Sequence, residues 1–210
     1  MSIQEWNAAL RPKRLLTNLE KQIVLGTLLG TGSIICPAKS KCPHIQLREA
    51  KSNEGKWLCC KAEYLKRFAR STPFSEDDDS YRWASISDMC WKELYDLCYT
   101  RGHKKITMTW LDQLTDIGLT TWYIDKGYEK NKLAHLKTSR FGKQGTQLIA
   151  QFFNEVACEC EVIKVHGLYN IRFTQEGSRA YYNIIDPCFP KYLKQQYSTP
   201  YHTPKSESQS

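Results

Sequence analysis

The sequence predicts an α+β fold built from two similar halves, on three observations. A run with apolar residues at nearly every position, Leu19 to Gly30, reads as a buried helix. Polar and apolar residues then alternate from His44 to Ala50, the period of a strand with one covered and one wet face. The same order of patterns recurs later at a nearly constant distance: Gly32 and Gly127 are 95 residues apart, His44 and His135 are 91 apart, and Tyr81 and Tyr169 are 88 apart. Similar offsets at three separate landmarks argue for an internal duplication.

In the first half, Ile23, Val24, Leu25, Leu28 and Leu29 fill the leading helix. Gly26 and Gly30 lie on one side of it, where the backbone of another helix can approach closely. His44, Gln46 and Arg48 alternate with Ile45 and Leu47, so the wet face of the strand is basic. A helical apolar stripe runs from Trp57 to Arg70, Tyr81 to Ile86 reads as a strand, and Met89 to Tyr99 reads as a helix. The acidic run Glu76-Asp77-Asp78-Asp79 is read as a solvated turn. In the second half an apolar helix ends at Gly127 and a strand follows at His135 to Thr138. A helix at Thr146 to Val156, strands at Val162 to Val165 and Tyr169 to Phe173, and a helix at Ser178 to Ile185 complete the order.

With 210 residues and 41% hydrophobic content, the chain can bury one substantial core or two small ones. A formal charge of +8 and a pI near 9.0 suit an anionic partner, either nucleic acid or an acidic membrane surface. No apolar stretch is long enough to cross a bilayer, no basic amphipathic helix suggests a membrane surface, and Met1 to Lys13 lacks the apolar core of a signal peptide. The expectation is an intracellular protein (cytoplasm, nucleoid or organelle matrix) with no membrane partner. The nine cysteines show no paired C-x-x-C spacing, so no zinc site is expected; most are read as small buried hydrophobes in a reducing compartment.

Two such halves would place their leading helices side by side and leave one face of each antiparallel sheet for a partner. The candidates for that face are His44, Gln46, Arg48, Lys51, Arg82, His135, Lys137, Arg140 and Arg172, with Lys39, Lys41, Lys130 and Lys132 in flanking turns. A β-ribbon fits the DNA major groove, where Arg and Gln pair with base edges and Lys neutralises phosphate. The competing reading of each residue is an ordinary solvated strand face.

The segment Leu25-Gly26-Thr27-Leu28-Leu29-Gly30-Thr31-Gly32-Ser33 resembles the first LAGLIDADG motif of the homing endonucleases. Leu119-Thr120-Thr121-Trp122-Tyr123-Ile124-Asp125-Lys126-Gly127 resembles the second. The approach Lys104-Lys105-Ile106 with Leu114-Thr115-Asp116-Ile117-Gly118, the segment Glu93 to Leu97, and Asp186-Pro187-Cys188-Phe189-Pro190 are also similar to single-chain members, so the likeness spans residues 15–195. The resemblance implies two pseudo-symmetric αββαββα halves and a central pair of motif helices with Gly26, Gly30, Gly118 and Thr121 at its interface. It further implies four-stranded antiparallel sheets forming a DNA-binding saddle in a monomer. The division expected is an N-terminal arm over 1–18, a first half over 19–105, a second over 106–197, and a disordered tail over 198–210.

In this family the last acid of each motif holds divalent ions, normally Mg²⁺, for hydrolysis of the DNA backbone. Here those positions carry Thr31 and Lys126. Asp125 is one residue earlier, a rotation of about 100° on a helix, and is read as part of the helix interface or as a substitute ligand. No metal is expected at these positions, and Mg²⁺ enters only if the chain is active. The reading is a sequence-specific binder of double-stranded DNA with cleavage lost or strongly impaired, in which Lys126 substitutes electrostatically for the missing cation. Two alternatives stay open: an active Mg²⁺-dependent homing endonuclease, and an RNA-binding intron-splicing maturase acting on structured RNA.

Overall fold

Thr17 starts the first helix, α1 (Asn18–Leu29), with a reciprocal cap. Its hydroxyl accepts from the Glu20 N–H at 3.2 Å while the Glu20 carboxylate accepts from the Thr17 N–H at 2.7 Å, which satisfies two of the donors that a helix start leaves open. The computed structural model describes residues 14–37, 42–51, 55–76 and 79–194. Lys39 and Lys41, Asp77 and Asp78 of the acidic run, the arm through Lys13 and the tail beyond Lys194 lie outside the described residues.

The chain divides into two compact units, Met1–Lys126 and Gly127–Ser210. In the first, α1 is followed by β1 (Ser33–Ile35), β2 (His44–Ala50), α2 (Lys56–Tyr64), β3 (Ala69–Glu76), β4 (Ser80–Ser85) and α3 (Cys90–Cys98). A short hairpin, β5 (Tyr99–Thr100) and β6 (His103–Lys104), then leads through α4 (Met108–Leu111) to α5 (Asp116–Lys126). In the second unit β7 (Gly127–Lys130), β8 (Leu133–Leu136), α6 (Gly142–Glu155), β9 (Cys160–Val165), β10 (Leu168–Phe173), α7 (Gln175–Ile185) and α8 (Lys191–Lys194) follow.

The duplication is visible in topology. From α1 to α3 the order is αββαββα, and from α5 to α7 it is the same. Both four-stranded sheets are antiparallel and share one strand order, β1-β2-β4-β3 and β7-β8-β10-β9. Register corrects one of the landmarks. Gln46 pairs with Ser33 and Ala84 as His135 pairs with Tyr128 and Arg172. His135 thus corresponds to Gln46, and the counterpart of His44 is Leu133. The Tyr81 and Tyr169 equivalence agrees with the ladder, since Leu47 faces Trp83 as Leu136 faces Ile171. The repeat and the compact units divide the chain at different places, because α5 packs on α1.

Glycine makes that packing close. A Cβ on Gly26 would stand 2.3 Å from the Gly118 carbonyl oxygen and 2.8 Å from the Thr121 Cβ, and one on Gly118 would stand 2.5 Å from Gln22 Oε1. Gln22 also ties the start of α5, accepting from the Thr115 N–H at 2.8 Å and donating to the Gln113 carbonyl at 2.7 Å. At the other end of α1, the Lys104 ammonium donates to the carbonyls of Leu28, at 2.7 Å, and Gly32, a cation where the helix dipole is negative.

Each sheet buries one face under helices of its own unit. In the first, Ile34, Ile45, Leu47 and Trp83 are buried with Trp57, Leu58, Phe68 and Trp91. In the second, Leu136 and Ile171 are buried, and Phe173 meets Phe153 and Tyr181. The nine cysteines are all free thiols. Cys90, Cys98, Cys158 and Cys160 are buried, Cys59 is exposed, and the rest lie between. No helix among the described residues is long and apolar enough to cross a membrane.

Candidate motif centre and nucleic-acid interface

The ends of α1 and α5 meet at Asp125, in the last turn of α5. Gly30 occupies the equivalent position of the first motif, and its missing side chain makes the room: a Cβ there would stand 2.3 Å from Asp125 Oδ2 and 2.4 Å from its Cβ. The carboxylate is 2% exposed and both oxygens are engaged. Oδ2 accepts from the Thr31 N–H at 3.1 Å and the Thr31 hydroxyl at 3.0 Å. Oδ1 accepts from the Trp57 indole N–H at 2.9 Å and from the Lys61 ammonium at 2.8 Å.

Trp57 and Lys61 lie one turn apart on α2, and Lys61 is fully buried with its ammonium 5.3 Å from the Trp57 ring centre. Glu49, buried on β2, accepts from the Leu58 N–H and so caps α2, whose own N-cap residue Gly55 makes no side-chain bond. Burial pushes the Glu49 carboxyl above its ordinary value, against the pull of the Leu58 and Trp57 N–H groups and the Lys61 cation. Thr31 thus acts as a donor to Asp125, and Lys126, half-buried, ends α5. Trp57, Lys61 and Glu49 were not singled out in the sequence. A lysine one turn after a tryptophan on an apolar stripe was the available signal.

On the first sheet, β2 and β4 alternate so that His44, Gln46, Arg48 and Arg82 share the face turned away from the core. Arg48 stands directly opposite Arg82, which gathers positive charge on that face. Burial holds the His44 imidazole below its ordinary pKa, helped by the Arg70 cation. Lys51 follows β2, its N–H donating to the Asp79 carbonyl at 3.1 Å.

On the second sheet, the outward face carries Tyr128, Lys130, His135 and Arg172 by register. His135 departs from the expected exposed strand residue: it is 4% exposed, stacked on Tyr128 at 4.8 Å and flanked by Arg172. Burial, then the Arg172 and Lys130 cations, lower its pKa and so favour the neutral imidazole, against a backbone hydrogen bond at Lys130 that raises it. Arg172 is exposed but paired with Glu161, with Nε donating to Oε1 at 2.8 Å. Lys137 is exposed, with its ammonium 5.5 Å from the Tyr128 ring centre. Lys130 and Lys132 are exposed at the β7–β8 hairpin tip, and Arg140 is exposed beside Phe141. A basic hairpin tip escaped the sequence reading: Arg101, His103 and Lys105 are all exposed around the β5–β6 turn.

A model of the LAGLIDADG DNA endonuclease family matches residues 21–180. No curated protein matches. Among solved structures, the chain resembles the homing endonuclease I-WcaI bound to its DNA recognition sequence, at 15% identity and a TM-score of 0.76, over 93% of this chain and 97% of that one. It also resembles I-DmoI in complex with DNA and Mn, at 11% identity and a TM-score of 0.53, over 80% and 96%. Full-length DUF199/WhiA from Thermatoga maritima is similar at 9% identity and a TM-score of 0.52, over 92% of this chain and 62% of that one. These likenesses establish the fold, and the family model, which spans both motif helices and both sheets, establishes descent: the chain belongs to the LAGLIDADG DNA endonuclease family.

Proposed function

We propose that this chain is a monomeric, sequence-directed binder of duplex DNA whose phosphodiester cleavage is lost or strongly impaired. The outward faces of its sheets supply the contacts: Arg48, Arg82 and Gln46 suit purine edges, and Lys130, Lys132 and Lys137 suit phosphates. The similar I-WcaI and I-DmoI structures contain DNA, and the basic and amide side chains on the outward strand faces suit the same partner here.

The observation that carries the loss of cleavage is the occupied carboxylate of Asp125. Mg²⁺ is held by hard, preferably anionic oxygens. Thr31 contributes only a hydroxyl, already directed at Asp125, and a lysine ammonium offers no lone pair. Asp125 has given both oxygens to four donors, one of them a buried cation. These residues do not fit a divalent ion. Lys126 then supplies, as a fixed ammonium, part of the positive charge that a metal would bring to the backbone.

The test is selection from a randomised duplex library with EDTA and with Mg²⁺, scoring retained and cleaved molecules separately. A long enriched site retained in EDTA and uncut in Mg²⁺ is expected; Mg²⁺-dependent cleavage at a defined position refutes the loss of chemistry. Structured RNA is tested as a competitor at matched salt, and preference for it over the selected duplex refutes the DNA reading.

A further inference from the structure

We infer that the outward face of the second sheet selects thymine-bearing base pairs through apolar contact of Leu168 and Val165, backed by Ile163, with the C5 methyl groups. The inference rests on the duplex-DNA reading above and names the base chemistry of one part of the site.

Register places these residues. Along β10, Leu168, Asn170 and Arg172 share a face, opposite Val165, Ile163 and Glu161 of β9. Arg172 also faces His135 of β8, so Leu168 and Val165 lie on the same outward face as the basic residues. They close a two-residue turn, His166-Gly167, with φ of 48° and 81°, the geometry that matches the twist of a tight ribbon. Leu168 is 56% exposed and Val165 37%, and the helices of this unit pack on the other face. Two aliphatic side chains paired at a ribbon tip are apolar surface that water solvates poorly.

The rest of that face narrows the occupant. Asn170 is buried, its Oδ1 accepting from the Thr138 N–H at 3.1 Å. Glu161 adds an anion beside Arg172, which opposes close approach of phosphate and suits a face turned to base edges. On the first sheet the outward face carries Gln46, Arg48 and Arg82, together with Ile35, which stands opposite His44. The apolar group available in the major groove is the thymine methyl, and Leu168 and Val165 are an exposed aliphatic pair that the second sheet offers to meet it.

The experiment uses the full chain and the duplex it selects. Thymine is replaced by deoxyuridine, which removes only the methyl, in one part of the site at a time, and affinity is read by fluorescence anisotropy in EDTA. Affinity is expected to fall about fourfold for each contacted methyl, the transfer value of one such group, at thymines clustered in one part of the site. Leu168→Ser with Val165→Thr, both surface changes, should bind the thymine and deoxyuridine duplexes equally. Equal affinity of the parent chain for both duplexes, or sensitivity that persists in the double variant, overturns the inference and leaves duplex binding intact. Failure to retain any duplex from the library overturns the DNA reading and this inference with it.

Discussion

Lys61→Met removes the buried ammonium while keeping much of the side-chain volume. Lys61 is 0% exposed and Asp125 2%, so solvent cannot replace the lost partner, and breaking a buried pair from one side costs about 3–5 kcal/mol. Three donors to Asp125 remain, two from Thr31 and one from Trp57, which places the expected loss near the lower end, about 3 kcal/mol. At about 2–4 °C per kcal/mol for a chain of this size, Tm should fall by about 6–12 °C. Glu49 adds a sign to the pH dependence. Its carboxyl is already raised by burial, and Lys61 is one of the groups holding it down. A raised folded value means stability that is present below the ordinary carboxylate value and declines as pH rises through the folded one. Without Lys61 that decline should steepen, so the penalty grows from acid toward neutral pH. Urea and thermal unfolding of Lys61→Met, Asp125→Asn and the double variant measure this. The double variant should be more stable than the sum of the singles by about 1 kcal/mol or more. Strict additivity, or a Lys61→Met cost within about 0.5 kcal/mol of zero, would refute the coupling.

Gly30→Ala places a methyl within 2.4 Å of Asp125 and should cost about 2 kcal/mol or more by overpacking; an unchanged urea midpoint would contradict the packing. For Glu20, burial pushes the carboxyl up but is outweighed by Arg67 and the Thr17 N–H and hydroxyl, so its pKa lies below the ordinary value. The stability it adds is therefore present above the ordinary carboxylate value and lost as pH falls through the folded one. Because Arg67 is 43% exposed, Glu20→Gln should cost only about 1 kcal/mol at neutral pH, shrinking in acid; a constant difference across pH argues against this. Lys126→Asp should weaken duplex binding in EDTA and make it respond to Mg²⁺, and affinity unchanged under both conditions excludes an electrostatic role. In native protein Cys59 should react with a thiol reagent while Cys158 and Cys160, pushed up by burial to about 11 and about 12, should not; equal rates would show that this core opens.

What was legible in the sequence was whatever a single period or cap could encode. The apolar run and Thr17-x-x-Glu20 mark α1 closely, and the alternation at His44 to Ala50 gives β2 at both ends. The edge strands β1, β3 and β7 were not legible, since three or four residues carry no usable period and β3 contains an irregularity between Ala69 and Phe74. The hairpins of the second unit turn on Asn131-Lys132 and His166-Gly167 at positive φ, and neither pair is the Asn-Gly or Asp-Gly that announces such a turn. Alternation puts His135 on the outward strand face and implies a wet side chain, yet it is buried. Alternation assigns a side, whereas exposure depends on Tyr128 and Arg172, which come from other strands. The Asp125 centre was harder still, because Trp57 and Lys61 reach it from far along the chain.

That centre bears on what residue 31 can carry. Each oxygen of Asp125 receives two donors, and Thr31 provides both of those on Oδ2, one from its main-chain N–H and one from its hydroxyl. An acid at residue 31 would remove the hydroxyl donor and bring a second carboxylate against the first, in a pocket whose cation is already engaged by Oδ1. Such a pair cannot both ionise at ordinary pKa values without another cation. Thr31, Asp125 and Lys61 therefore form one self-neutralised arrangement, made possible by the absence of a side chain at Gly30. Changing the motif acids alone would reopen a charge imbalance that the present residues close from within the protein.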